Sequence, residues 1–138
     1  MGYRVFDHTA DLGIAVFAES REGLYAAAAH ALFDRLTELA SVLEAVEREI
    51  TVEGQDPADL LVNFLREALF AWNGEGFLMK SCLVREAGPR RITAHLRGEA
   101  FDPARHRIKQ EIKAVTYHQA EVRQTEKGVW TARVIFDV

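Results

Sequence analysis

Residues 47–74 read EREITVEGQDPADLLVNFLREALFAWNG, and the hydrophobic period changes inside them. Arg48, Ile50 and Val52 alternate with Glu47, Glu49, Thr51 and Glu53, the two-residue period of a strand with an acidic outer face. Gly54-Gln55 turns the chain. Asp56 then stands as a helix cap, Pro57 at the first helical position, and Asp59 in the first turn, where the dipole favours a carboxylate. Leu60, Leu61, Phe64, Leu65, Ala68, Leu69 and Trp72 make one apolar stripe at helical spacing. Asn73-Gly74 is a stop signal. A half-exposed strand that hands over to an amphipathic helix points to packed layers of sheet and helix.

On the N-terminal side, Ser20 caps a second helix that starts near Arg21. Leu24, Ala28, Ala31, Leu32, Leu36 and Leu39 carry its period, and its end is placed near Leu39. The small side chains of Ala26 to Ala29 let this helix sit close to a sheet. Before it, Tyr3 to Asp7 and Ile14 to Ala18 predict two strands, separated by a break at His8-Thr9-Ala10-Asp11. On the C-terminal side, Phe77 to Arg85 predicts a strand. Ile92, Ala94 and Leu96 alternate with Arg91, Thr93, His95 and Arg97 in another. Gly98 to Ile108 reads as a loop with a turn at Asp102-Pro103, and Lys109 to Val115 is ambiguous. Tyr117 to Gln124 and Val129 to Val138 flank Glu126-Lys127-Gly128, a hairpin signal. Trp130, Ala132, Val134 and Phe136 should face the core. The order predicts an α+β fold, two helices packed on a largely antiparallel β-sheet, in a single domain over residues 1–138.

Composition narrows the classes. The chain has 138 residues, 49% hydrophobic and 28% charged, with a net charge of -4. Wholesale disorder is excluded by that apolar content. No apolar run reaches the length of a bilayer span, and the N-terminus lacks the apolar core of a secretory signal, so no membrane partner is expected. A single cysteine, Cys82, cannot form an internal disulfide, which fits a cytoplasmic protein. Charge is unevenly spread: residues 1–79 carry 5 Lys and Arg against 14 Asp and Glu, and residues 80–138 carry 12 against 7. A protein that simply coats nucleic acid would be basic throughout.

Phosphate-binding loops, dinucleotide glycine fingerprints and zinc spacings are absent from the sequence. Cys82 lies in a predicted strand and reads as packing. Four constellations remain. His8 and Asp11, with Asp7 beside them, could ligate a metal, or Asp11 could cap a turn and His8 bond to backbone. Asp137 and the carboxylate of Val138 offer clustered oxygens to a hard cation, against the reading of an exposed strand end. Lys113 stands among Ile112, Ala114 and Val115, where it either snorkels to solvent or pairs with a carboxylate or phosphate. His118, in the same KQEIKAVTYH segment, is a ligand, a proton carrier or a satisfied core histidine, the last being commonest for a lone strand histidine. Finally, Arg90, Arg91, Arg97, Arg105, Arg107 and Lys109, with His95 and His106, could meet RNA phosphates or an acidic surface, or be a solvated basic face.

Taken in order, HTADLGI, DPADLLVNFLREALF, EIKAVTYH and the closing WTARVIFDV resemble the archease family over residues 6–138. The resemblance implies a small metal-binding α+β protein that assists the RtcB-type RNA ligase. That enzyme joins a 3′-phosphate or 2′,3′-cyclic phosphate to a 5′-hydroxyl, as in tRNA splicing, through a GMP-linked histidine. It implies no enzymatic activity of the chain's own: the family promotes guanylylation and repeated turnover of the ligase, and meets tRNA indirectly. It also implies a divalent metal ion, calcium first, on Asp11, Asp137 and Val138, with Lys113, Asp11 and Asp137 acting in ligase activation. His8 and His118 are possible supporting residues. Two like charges at Asp11 and Asp137 would be costly without a cation between them. The other readings are a general chaperone, which needs an exposed apolar patch, an RNA-binding module, and a stand-alone metal-dependent hydrolase. The hydrolase lacks a convincing nucleophile and base in the sequence.

Overall fold

Among the described residues seven strands and two helices follow one another in the order the periodicities predict, but the strands build two sheets rather than one. The structure is a computed structural model that describes residues 1–8 and 11–138, with the side chains of Asp7 and His8 outside the description. Strand β1 (Gly2–His8) and strand β2 (Asp11–Ala18) lead into helix α1 (Arg21–Leu36). A single 3-10 turn, Leu39–Ser41, precedes β3 (Val46–Glu53) and helix α2 (Pro57–Asn73). Then follow β4 (Phe77–Ala87), β5 (Arg91–Ala100), β6 (Ala114–Gln124) and β7 (Trp130–Asp137). One sheet has the order β1-β2-β7-β6 and the other β3-β5-β4, every pairing antiparallel.

Helix α2 is built as its punctuation requires. The Asp56 carboxylate accepts from the Asp59 N–H at 2.9 Å, and the Asp59 carboxylate accepts from the Gln55 N–H at 2.8 Å. Two donors that the helix cannot satisfy internally are thereby paired. Gly74 does cap the helix, yet the left-handed residue is Gly76, at φ 68°, two residues beyond Gly74. Helix α1 ends at Leu36, short of Leu39, because Thr37 turns extended and its hydroxyl donates to the Arg107 carbonyl at 2.7 Å. That contact ties the helix end to the loop before β6.

Both helices touch both sheets, which explains why α1 is buried on most sides and carries so weak an apolar stripe. Tyr25, Phe33, Phe64, Phe77 and Phe136 are the largest fully buried side chains. The pairs Leu12–Phe136, Ile14–Val134 and Val16–Ala132 face this core from β2 and β7. At Gly98 in β5 a Cβ would lie 1.8 Å from the Leu78 carbonyl oxygen, so the β4–β5 pair closes only over a glycine.

Candidate metal site and its surroundings

The β2–β7 register brings the two distant carboxylates together. Asp11 opens β2, Asp137 closes β7, and the two are direct cross-strand partners. Their neighbours Leu12 and Phe136 face the core, so alternation puts both aspartates on the opposite face at one end of the sheet. Directly opposed residues stand about 4.5–5.5 Å apart at Cα. On the flanks, the backbone of His8 is registered with Asp11 and Ala114 with Asp137. The Lys113 N–H donates to the Asp137 carbonyl at 2.7 Å, which ties the lysine segment to the same sheet end. Val138 follows, half-buried against the core.

Asp11, Lys113, Asp137 and Val138 therefore share one end of the four-stranded sheet, which we call the tip. Its side-chain donors are carboxylate oxygens, the chemistry a hard cation takes, and they belong to two facing residues that repel when both are ionised. The donor set thus fits a divalent cation such as calcium. Among the described residues no group of three or more His, Cys, Asp or Glu side chains is gathered around one point. Thr9 and Ala10, which complete the predicted break, lie outside the described residues, as does the side chain of His8. Asp11 is the first residue of β2, which extends three residues before Ile14.

Beside the tip, β6 departs from a regular strand. Thr116 pairs with Ile135 but Glu121 pairs with Arg133, so Tyr117 to Ala120 bulge out of the ladder. Gln119 takes φ 57°, the left-handed conformation inside that bulge. His118 sits there exposed, not in the core as a lone strand histidine usually does, because the bulge lifts it off the sheet. Helix α2 holds the bulge. The Tyr117 hydroxyl donates to Asp59 Oδ1 at 2.9 Å and Asn63 Oδ1 at 3.1 Å. Arg66 Nε and Nη2 both donate to the Val115 carbonyl, at 3.2 and 3.1 Å, and its guanidinium lies 4.4 Å from the Tyr117 ring centre. The Gln55 N–H and then the Tyr117 hydroxyl keep the Asp59 carboxyl below its ordinary range. The same hydrogen bond, ahead of burial, raises the Tyr117 phenol.

Lys113 is exposed while Ile112 and Val115 on either side are buried, the snorkelling arrangement the sequence suggests. Part of the basic collection meets carboxylates. Arg97 meets Glu47 at 2.8 Å, His95 meets Glu49 at 2.8 Å, and Arg105 pairs with Glu99. His106 is buried with its Nε2 3.1 Å from Glu99. These are the contacts of loop anchoring and of a solvated sheet face. Cys82 is half-buried against the core, and burial pushes its thiol up to about 12. Arg66, Phe70 and Tyr117 are not singled out by pattern: each looks like an ordinary surface residue until the fold sets Arg66 and Phe70 beside Lys113 and Tyr117 against Arg66.

Comparison with known proteins places this architecture. The Archease protein family model matches residues 3–138. Protein archease of Methanopyrus kandleri is 38% identical over 141 residues, covering 100% of both chains. Protein archease of Pyrococcus furiosus is 35% identical over 136 residues, covering 96% of each. The solution structure of protein 1598 of Methanobacterium thermoautotrophicum superposes with a TM-score of 0.82 at 29% identity, covering 99% of each chain. A two-sheet α+β protein with a carboxylate pair at one sheet end is the class that the fold and site define. The chain belongs to the archease family.

Proposed function

We propose that this protein is a non-enzymatic activator of an RtcB-type RNA ligase, acting in the cytoplasm in tRNA splicing and RNA repair. The observation that carries the reading is the direct pairing of Asp11 with Asp137, with Lys113 bound to the same strand end. Asp11, Asp137 and Val138 would hold a divalent ion, with calcium the best match to oxygen donors. Such an ion supplies positive charge that can organise phosphate oxygens. The chain's own part is to fix two carboxylates on directly paired strands and to tie the backbone of Lys113 to the same strand end. Mounted on a sheet end, these groups can enter a partner's cleft without unfolding anything. The tip would then promote transfer of GMP to the ligase and so restore the enzyme after each round.

Guanylylation of the ligase, measured as labelled GMP retained on the protein, tests this reading. The wild-type chain should raise the guanylylated fraction, and Asp11→Ala should lose at least nine-tenths of that stimulation (about 1.4 kcal/mol or more) while melting normally. Equal stimulation by Asp11→Ala would remove the tip from the mechanism.

A further inference from the structure

A groove of about 340 Å³ runs beside the tip, between the C-terminal half of α2 and the start of β6. Leu69, Phe70, Ala114 and Val115 form its apolar part, and Arg66 and Lys113 are its charged groups. Among the described residues no carboxylate lines it. In a chain of net charge -4, this is a cationic and apolar place on an acidic protein. Phe70 is 58% exposed, whereas of the other aromatics of this amphipathic helix Phe64 is wholly buried and Trp72 is partly buried against the core. Tyr117, 49% exposed, continues the strip along the helix, with the Arg66 guanidinium lying between helix and ring. Aromatic residues and arginine on a rigid scaffold are the composition of a protein-binding surface. The scaffold here is rigid: two guanidinium hydrogen bonds fix Arg66 to the Val115 carbonyl, and two more hold Tyr117 on the helix.

We infer that this groove is the docking surface for the partner protein, and that it receives a segment carrying a carboxylate beside an apolar side chain. The apolar residue packs on Phe70 and Leu69, and the carboxylate faces Arg66 and Lys113. The charge of the groove selects the acid, and the exposed ring selects the apolar neighbour. Ala114 lines the groove and is registered with Asp137, so a segment seated here lies next to the tip. The two regions then divide the work: the groove holds the partner, and the tip acts on it. This inference rests on the activator reading, since the partner is the ligase.

The test titrates the purified full-length chain against the ligase and reads guanylylation at each concentration. Phe70→Ala should raise the half-maximal concentration at least tenfold while the plateau at saturation remains. Arg66→Gln keeps a donor for the Val115 carbonyl but removes the charge. It should raise the half-maximal concentration and flatten its dependence on salt. Leu83→Ala, which trims an equally exposed apolar residue on the other sheet, should leave the curve unchanged. A Phe70→Ala curve that overlays the wild type, or an equal shift with Leu83→Ala, overturns the groove alone. A wild-type chain that never stimulates the ligase overturns the activator reading and the groove with it.

Discussion

At the residue scale, a tightly held carboxylate of the protein lies away from the tip. Glu99, 7% exposed, pairs with Arg105, accepts from the Leu43 N–H at 2.6 Å and lies 3.1 Å from His106 Nε2. The Arg105 guanidinium first, and then the Leu43 N–H, lower its pKa from 4.5 to about 2. A depressed carboxylate stabilises the fold in full above its unfolded value and loses that contribution as pH falls through its folded one. The melting temperature of the wild type should therefore drop between pH 4.5 and about pH 2. Glu99→Gln should start lower at neutral pH and change less across that window. Parallel melting curves for the two proteins would show that Glu99 contributes nothing pH-dependent. Glu99 joins the segment near Leu43 to the loop at Arg105 and His106, and so supports the chain that leads to Lys113. Nothing in the sequence marks it, because its partners lie in two loops whose approach depends on the assembled sheets.

At the element scale, α2 is the unit on which the site depends, since it carries Asp59, Asn63, Arg66 and Phe70 toward β6. Its boundaries were legible from residue 56 to 74 because cap, proline and stripe are local signals that agree. Asp56→Ala removes one member of the paired cap and should cost about 1 kcal/mol of stability, measured by urea unfolding. A loss near zero would mean that packing alone defines the helix start. The neighbouring β6 was far less legible. KQEIKAVTYH reads as neither clear strand nor clear loop, and the structure shows why: residues 109–113 lie outside the ladder with a bend at Gln110, and the pairing breaks again after Thr116. A bulge is set by what the partner strand and the covering helix require. Alternation in its own sequence does not record that.

At the scale of the whole molecule, the division into two sheets was hidden for a related reason. Alternation tells which face of a strand is buried but not which strand lies beside it. The core faces of β2 and β7 were readable, whereas the choice of β5 to pair with β3 and β4 came only with the fold. The unequal charge of the two halves likewise mixes in space. Arg97 and His95 on β5 face Glu47 and Glu49 on β3, and Asp11 faces Asp137. The tip residues were legible through the likeness of four motifs to one family. The local pattern around each was ambiguous, since an aspartate at a strand end is common and its partner stands at the other end of the chain.

The central claim is that a sheet end assembled from both ends of the sequence restores an RNA ligase between rounds. The direct measurement is the number of ligation events per ligase molecule with RNA in large excess and the chain added at substoichiometric amounts. The account predicts many turnovers with the wild type, and about one per ligase without it or with Asp11→Ala. Turnover that is the same with wild type, with Asp11→Ala and with neither would contradict it.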